Sequence, residues 1–294
     1  MKKLLILSGK GGTGKTTLTA AFIDFLNARA FADCDVDAPN LHLVAGETAK
    51  PRKKEYLGAQ KSAINPIKCK NCGACLTHCR FDAVTQTADG YKINEYACEG
   101  CGVCLQVCPE HAITLHDDIA GTQLLFHSQR VFSTAKLKMG RGNSGKLVTE
   151  VKTALFHQFQ PEAASKVESE IAIIDGSPGI GCPVIASISG VDLVLIVAEP
   201  SLSGMSDMTR ILKTVEIFGT KAAVCINKYD ASMENTKTIE QFCEAHNIPF
   251  VGCIPYDKQA SKAMNAGHSL AQVTCPATMA LLEVCKNTQK LLER

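Results

Sequence analysis

The chain has 294 residues, 46% of them hydrophobic and 20% charged, and a formal net charge of +2 at pH 7. This length allows one or two domains with a full-sized core, and the scattered lysines and arginines form no basic stripe for nucleic acid or for a membrane surface. No apolar run approaches the roughly 20 residues that cross a bilayer, and the stretch before residue 9 is too short for a signal peptide, so we expect a cytoplasmic protein without a membrane span.

The first predicted element is an apolar strand at residues 4–7, and a helical pattern with apolar residues three and four positions apart begins near Leu18. A glycine-rich loop lies between them. Strand, loop and helix together are typical of a phosphate site, because the glycines let backbone N–H groups point inward and the helix adds its positive end. The loop residues expected to bind a nucleotide are Gly9, Lys10, Gly11, Gly12, Thr13, Gly14, Lys15, Thr16 and Thr17.

Two side chains of this loop have predicted tasks. Lys15 can reach the β- and γ-phosphates, and the Thr16 hydroxyl can ligate Mg²⁺. A short strand is then predicted to end near Asp33, which places Asp33, Asp35 and Asp37 at the carboxyl edge of the sheet, where open α/β sheets bind ligands. A solvated turn is the alternative for these carboxylates. Beside a phosphate loop, we favour an acidic loop that orients Mg²⁺ or the attacking water.

Residues 46–65 are polar and rich in lysine, and we predict a linker there. The chain contains fifteen cysteines, which in a cytoplasmic protein indicates metal or redox chemistry rather than disulfides. Eight of them form two runs with the spacing C-x₂-C-x₂-C-x₃-C, and each cysteine of the second run lies 29 residues after its counterpart. The first run is Cys69, Cys72, Cys75 and Cys79, and the second is Cys98, Cys101, Cys104 and Cys108.

This spacing is typical of bacterial ferredoxins with two [4Fe–4S] clusters, in which the fourth cysteine of each run ligates the other cluster. A pair of zinc sites is the alternative, but structural zinc sites use two cysteine pairs per metal rather than triplets with a distant fourth. Arg80 stands where the second run has Pro109, which can alter solvent access without removing a ligand. The predicted ligands are Cys69, Cys72, Cys75 and Cys108 for cluster one, and Cys98, Cys101, Cys104 and Cys79 for cluster two.

A buried strand is predicted at residues 171–175, and it ends in Asp175. An apolar strand that ends in Asp beside a phosphate loop is a Walker B arrangement, so Asp175 is expected to hold the hydrated Mg²⁺. The glycine- and proline-rich stretch 176–183 can move with the γ-phosphate. A second glycine-rich segment, residues 140–146, lacks a GKS/T ending, and we interpret it as the entry to a helix at 147–159.

The remaining sequence alternates between apolar strands and helical segments. This alternation predicts an α/β fold with a mainly parallel sheet covered by helices on both faces. The predicted strands are 193–198, 222–226 and 250–254, and the predicted helices are 206–218, 236–246, 258–266 and a last one from about 277.

Two residues at strand ends are expected to contact the base. Asn227 begins the segment Asn227–Asp230, which has the literal NKxD form of guanine-binding proteins, but Asn227 serves an adenine edge equally well. Pro255 ends the next strand and is expected to border the same base.

Together these motifs resemble the MinD/ParA-like P-loop ATPases, the group that includes nitrogenase iron protein and the Mrp-type iron–sulfur carriers. The resemblance rests on Lys10–Thr16, on the loop with Asp33 and Asp35, and on the Asp175 segment. With the cysteine block included, the whole chain resembles MinD-superfamily ATPases that carry an inserted ferredoxin domain. This resemblance implies a P-loop ATPase domain in two parts, 1–58 and 119–294, and a small α+β two-[4Fe–4S] ferredoxin-like domain at 59–118.

The resemblance also implies roles for single residues. Lys10 would reach across a homodimer to the second nucleotide, Asp35 would orient the hydrolytic water, and ATP with Mg²⁺ would be preferred over GTP. Cys182 stands where nitrogenase iron protein has one of its bridging-cluster cysteines, but we find no convincing second one and expect a small buried thiol. The C-terminal Cys-x-x-Cys of Mrp-type carriers is absent from this sequence.

Three functions remain open from the sequence. The first is an ATPase whose nucleotide state gates electron transfer through two clusters to a redox partner. The second is an ATP-dependent factor that assembles or delivers iron–sulfur or related metallocofactors with an assembly protein, although eight cysteines that saturate two clusters leave no labile site. The third is a regulatory ATPase of the MinD type in which the clusters sense redox state.

Overall fold

The structure is a computed structural model, and it describes residues 1–46, 49–159 and 170–294. Within these ranges it contains thirteen strands and nine α-helices. The strands are β1 Lys2–Ser8, β2 Ala30–Asp33, β3 Arg52–Leu57, β4 Lys61–Ile64, β5 Val84–Thr87, β6 Gly90–Ile93, β7 Ile113–His116, β8 Ile119–His127, β9 Val131–Leu137, β10 Ile171–Asp175, β11 Leu193–Ala198, β12 Lys221–Asn227 and β13 Phe250–Ile254. The helices are α1 Lys15–Phe25, α2 Ala74–His78, α3 Val103–Gln106, α4 Ser144–Gln158, α5 Cys182–Ile188, α6 Leu202–Ile217, α7 Met233–Ala245, α8 Lys258–Asn265 and α9 Pro276–Glu293.

The chain forms two compact units. The first consists of Met1–Lys53, Gln123–Lys136 and Ser144–Arg294, and the second of Lys54–Thr122 and Leu137–Asn143. The second unit therefore begins five residues before the expected boundary at 58/59, continues to Thr122 instead of ending at 118, and also includes Leu137–Asn143, which we predicted to lie in the ATPase part. Among the described residues, no helix is long and apolar enough to cross a membrane.

The core of the first unit is a parallel sheet, which confirms the predicted mainly parallel α/β fold. Its strand order is β13-β12-β11-β1-β10-β2-β9, and the neighbouring strands pair in parallel. Every residue of β11 is buried. Because successive side chains of a strand point to opposite faces, such a strand must be covered on both sides. At one edge β8 lies beside β9, and the short connection 128–130 makes these two strands antiparallel.

The connections of the sheet run in opposite directions on the two sides of β1. The chain leaves β1 through α1 and reaches β2 on one side, whereas β10 returns through α5 to β11 on the other side. Open α/β sheets bind ligands at such a switch point, beyond the carboxyl ends of the strands. In this sheet the loops that follow β1, β2 and β10 lie at that position because these three strands are parallel and adjacent.

The second unit contains an internal repeat. Each element of the first half, β4, α2 and β5, recurs about 29 residues later as β6, α3 and β7. β4 pairs antiparallel with β7, and β6 pairs antiparallel with β5, so each half of the repeat completes a two-stranded sheet of the other.

The backbone conformation repeats as well. Three pairs of residues 29 positions apart adopt positive φ angles, and Gly73 and Gly102, with φ of 80° and 77°, immediately precede α2 and α3. The repeat therefore includes the backbone conformation as well as the spacing of the cysteines. The three pairs are Asn71 and Gly100, Gly73 and Gly102, and Asp82 and His111.

The linker predicted for residues 46–65 is wrong where the structure describes it, because β3 and β4 occupy much of this range. Residues 47 and 48 lie outside the described part of the chain. In β3 only Tyr56 is buried, so the strand lacks the alternation of apolar and polar residues that identifies a strand in a sequence. The segment 140–146 leads into a helix, as we interpreted it, and α4 begins at Ser144.

Lys152 of α4 stabilises the end of α5. Its Nζ donates hydrogen bonds to the carbonyl oxygens of Ala186, Ser187 and Ser189 at 2.9, 2.7 and 2.6 Å. The last carbonyls of a helix have no partner within the helix, and a cation at this end also suits the helix dipole. Burial lowers the pKa of Lys152 to about 8, which leaves it mostly charged at neutral pH.

Replacing Lys152 by Met should lower the apparent free energy of unfolding by about 1–3 kcal/mol, because three carbonyl groups lose their buried donor. Urea and thermal unfolding at pH 7 would measure the change. Lys136→Met, at an exposed position of β9, is the matched control and should change the free energy by less than about 0.5 kcal/mol. A Lys152→Met protein as stable as the control would contradict this role.

Candidate functional site

Three loops meet at the carboxyl ends of β1, β10 and β2. Together with the first turn of α1 they line one open cavity. Of the predicted loop residues, those from Lys10 to Thr17 line it, and Ser177 and Pro178 contribute from the loop after β10. Gly9 lies outside the lining, beside Asp207.

Asp175 is the buried centre of this site. Its carboxylate accepts hydrogen bonds from Lys15 Nζ at 2.8 Å, Thr16 Oγ1 at 2.8 Å and Thr19 Oγ1 at 2.9 Å. Burial alone would lower the pKa of Lys15, but the Asp175 carboxylate, with help from Asp33 and Asp35, outweighs burial and raises the pKa, so the lysine is charged. The structure thus brings together Lys15, Thr16 and Asp175, which the sequence assigned to phosphate and Mg²⁺.

The backbone of the loop requires glycine at two positions. Gly14 has a φ of 93°, and a Cβ there would clash with the Asn227 side-chain amide. A Cβ at Gly9 would clash with Asp207 of α6. Larger residues would therefore displace the loop that precedes α1.

The acidic loop after β2 is organised by Asp33. Its buried carboxylate accepts hydrogen bonds from the backbone N–H groups of Asp35, Asn40 and Leu41 at 3.0, 2.9 and 3.0 Å. Burial, and then the nearby Asp175 carboxylate, raise the pKa of Asp33 to about 7. Asp35 lines the cavity, and its pKa is also raised, mainly by burial. Asp33 therefore positions the loop, while Asp35 presents a carboxylate to the cavity.

Lys10 contacts a residue of its own chain. Its Nζ lies 3.1 Å from a Glu199 oxygen, and Lys228 Nζ lies 2.9 Å from the other oxygen. Lys228 also donates to the Gly12 carbonyl at 3.0 Å. Burial would raise the pKa of Glu199, but hydrogen bonds and charge from Lys228 and Lys10 hold it below its usual value.

Glu199 and Lys228 were not predicted from the sequence as site residues. Glu199 follows β11, and Lys228 follows β12, so both lie at the same carboxyl edge of the sheet as the predicted residues. Both would have been predicted if every polar residue just after an apolar strand had been treated as a candidate site residue.

A second cavity adjoins the first and shares Gly12, Gly14 and Thr17 with it. Asn227 and Pro255 both line this second cavity. The Asn227 amide also donates to the Thr13 carbonyl at 2.7 Å. Cavities of this kind, beside a phosphate loop and with apolar walls, suit the base of a nucleotide.

Asp230, the last residue of the NKxD-like segment, is held within its own unit. Its carboxylate accepts a hydrogen bond from the Tyr256 N–H at 2.8 Å. This contact ties the segment after β12 to the loop after β13.

The second unit contains two further small cavities, each of about 20 Å³. Each is lined by three cysteines of one run and by the fourth cysteine of the other run. Apolar side chains surround both sets, including Val84 and Ile93 in one and Ile64 and Ile113 in the other. The two sets are Cys98, Cys101, Cys104 and Cys79 in the cavity with Val84, and Cys69, Cys72, Cys75 and Cys108 in the cavity with Ile64.

Several of these sulfur atoms have hydrogen-bond partners. The Ser62 N–H donates to Cys98 Sγ at 3.5 Å, and the Ala112 N–H donates to Cys108 Sγ at 3.3 Å. Burial would raise the pKa of the Cys98 thiol, but the N–H groups of Ser62 and Gly100 lower it. In the described part of the chain, no three His, Cys, Asp or Glu side chains are placed to hold a single metal ion.

Cys182 is exposed, so the expectation of a buried thiol is wrong. It is the first residue of α5, and this helix buries its opposite face through Val184, Ser187 and Ile188.

Comparison with known proteins agrees with this geometry. A sequence profile described as the CobQ/CobB/MinD/ParA nucleotide binding domain matches residues 4–270. An uncharacterized protein of Methanocaldococcus jannaschii is 34% identical over 265 residues, which covers 86% of each chain. An uncharacterized ATP-binding protein of the same organism is 26% identical and covers 96% of this chain and 85% of its own length.

Solved structures of MinD and McdA share the fold. MinD of Pyrococcus horikoshii, solved with Mg-ADP, has a TM-score of 0.58 at 17% identity and covers 99% of this chain and 96% of its own. A Cyanothece McdA–ATP complex has a TM-score of 0.57 at 20% identity, with coverage of 99% and 96%. With the phosphate loop and Asp175 in contact, the profile match shows that this chain belongs to the CobQ/CobB/MinD/ParA nucleotide-binding family, as a P-loop ATPase of the MinD/ParA type.

Proposed function

We propose that this ATPase holds two [4Fe–4S] clusters in its second unit and that its nucleotide state gates electron transfer through them to a partner protein. One observation carries the proposal. The two cysteine sets that line separate cavities are the sets that the spacing assigns to two clusters, including the exchanged fourth cysteine.

The residues fit such clusters better than they fit isolated ions. A four-iron cube binds each of its four thiolates through a different iron, so its ligands surround a cavity instead of converging on a single point. The apolar walls and the N–H groups directed at Cys98 and Cys108 are features that tune iron–sulfur sites. When bound, each cluster would take one electron from a donor protein and pass one electron to an acceptor.

The nucleotide site supplies the proposed switch. Lys15 is paired with Asp175 in this structure, and the phosphates of ATP would offer Lys15 a stronger partner. Asp175 and Thr16 would then be available to hold the hydrated Mg²⁺, and Asp35 would orient the attacking water. The same event would alter the loop that follows Asp175, because this loop borders the phosphate cavity.

The loop after Asp175 is connected to the second unit through α5 and α4. The loop continues into α5, which packs against α4. Contact is close where Gly145 faces Cys182, since a Cβ at Gly145 would lie 3.1 Å from the Cys182 carbonyl oxygen. α4 begins at Ser144, immediately after the segment Leu137–Asn143 of the second unit. A shift of α5 would therefore pull on a segment that is covalently part of that unit.

We also propose a homodimer in which Lys10 contacts the second nucleotide. To do so Lys10 must leave Glu199, and its exposed fraction of 39% leaves room for that movement.

A regulatory ATPase is the second candidate function, since the fold matches MinD of Pyrococcus horikoshii and Cyanothece McdA. In that case oxidation of the protein alone would change ATP turnover, without an electron acceptor.

Anaerobically purified protein should contain about eight iron and eight sulfide per chain. Cys108→Ala should lower the iron content by about one to four atoms and change one cluster only, because the set around Cys98 stays complete. Iron analysis and EPR after reduction would measure this. Cys182→Ala, at an exposed cysteine outside both sets, is the control and should keep all the iron. Wild-type protein without iron would contradict the proposal.

Replacing Lys15 by Ala should weaken ATP binding at least about 100-fold, because the phosphates lose their buried cationic partner. Calorimetric titration with Mg-ATP would measure the affinity. Lys221→Ala, at the exposed amino end of β12, removes a lysine far along the strand from the ligand edge and should leave the affinity unchanged. Equal affinities of the two variants would show that the nucleotide does not bind at this loop.

Nucleotide gating predicts that the cluster midpoint potentials differ between the ATP-bound, ADP-bound and free states. Anaerobic redox titration followed by EPR would measure them. Gly145→Val should abolish the difference by forcing α4 away from α5, whereas Gly142→Val has open space around it and should preserve the difference. Potentials that are identical in all three states of a fully loaded wild-type protein would contradict gating.

A further inference from the structure

The two cysteine sites are equivalent in the internal repeat but differ in their surroundings. β4 and β6 contribute to both sites, and their first two positions differ: Ser62 of β4 lines the site of Cys98, and Tyr91 of β6 lines the site of Cys69. The residues at matching positions differ in kind: Lys61 of β4 corresponds to Gly90 of β6, and Ser62 corresponds to Tyr91.

On the β4 side, polar groups point at the set that contains Cys98. Lys61 is buried, with 5% of its surface exposed, and its Nζ donates to the Cys98 carbonyl oxygen at 2.5 Å. The Ser62 N–H donates to Cys98 Sγ at 3.5 Å, and the Cys104 thiol donates to Ser62 Oγ at 3.3 Å; a cluster-bound Cys104 thiolate would instead accept from this hydroxyl. One buried cation and two hydrogen-bonding groups therefore surround this set. Glu99 also lines the cavity, but it is exposed and its charge is screened by water.

The other set also has a backbone donor, because the Ala112 N–H donates to Cys108 Sγ at 3.3 Å, but no buried cation lines its cavity among the described residues. Gly90 has no side chain, and the Tyr91 ring lines the cavity. Lys70 and Glu110 are the charged residues that line this cavity in the described chain; they pair with each other at 2.9 Å, and Lys70 is 72% exposed. Their charges offset one another and face solvent, so they act weakly on a buried group.

We propose that Lys61 and Ser62 make the two clusters unequal, so that the cluster held by Cys98, Cys101, Cys104 and Cys79 has the higher reduction potential and receives the first electron. Reduction adds one negative charge to a cluster, and a buried cation stabilises that charge strongly because the surrounding dielectric constant is low. Hydrogen bonds to the ligating sulfurs act in the same direction, but each set has one backbone N–H donor, so the difference between the sets rests on Lys61 and the Ser62 hydroxyl. This inference rests on the proposed two-cluster function.

The test is an anaerobic redox titration of the full chain with dithionite, followed by EPR. Wild-type protein should show two separate midpoints. Lys61→Met should lower the upper midpoint and leave the lower one in place, and Lys61→Arg should restore most of the gap. Lys92→Met removes an exposed lysine of β6 that lines neither cavity and is the matched control, with both midpoints unchanged.

Two results would overturn the inference. The first is an unchanged upper midpoint in a Lys61→Met protein that has a full iron content. The second is a Lys61→Met protein in which the lower midpoint shifts and the upper one does not. If Lys61→Met fails to load iron, Ser62→Ala is the deciding variant. It should lower the upper midpoint, by less than the loss of the lysine charge would, and an unchanged upper midpoint would contradict the inference. Wild-type protein without iron would instead refute the two-cluster function itself.

Discussion

The buried carboxylate of Asp175 holds the nucleotide site together. It ends the strand next to β1 and accepts hydrogen bonds from Lys15, Thr16 and Thr19, so three side chains of the first helix depend on one acceptor. A charge buried this deeply is stable only while its partners remain, and replacing a partner by phosphate or Mg²⁺ must rearrange the contact. A change of nucleotide should therefore act first on the loop that follows Asp175 and on the helix α5.

Much of this site could be predicted because its signals are local. The phosphate loop, the strand that ends in Asp175 and the alternating strands are short patterns whose physical meaning depends little on the rest of the chain. Glu199 and Lys228 could not be found in this way, because their importance comes from the sheet order, which brings the ends of β11 and β12 next to the loop. Likewise, β3 is polar and exposed and carries no alternating pattern, and the exposure of Cys182 follows from the face on which α5 packs.

The second unit shows how a sequence repeat becomes a pair of unequal sites. Strand pairing between the halves carries the fourth cysteine of each run to the triplet of the other, as the two mixed cysteine sets show. The spacing alone predicts this exchange, since it is the usual arrangement in two-cluster ferredoxins. The difference between Lys61 and Gly90 lies outside the cysteine motif, and its meaning emerges only when the repeat is aligned on the structure and Lys61 is found buried against Cys98.

We propose that a nucleotide site and two four-iron clusters occupy one chain. Anomalous diffraction at the iron edge, from crystals grown without oxygen and with Mg-ATP, tests it most directly. We predict two compact iron peaks, each within one set of four cysteines, and a nucleotide against the loop from Lys10 to Thr17. Crystals that show the nucleotide but no iron, or single zinc ions at the cysteines, would contradict it.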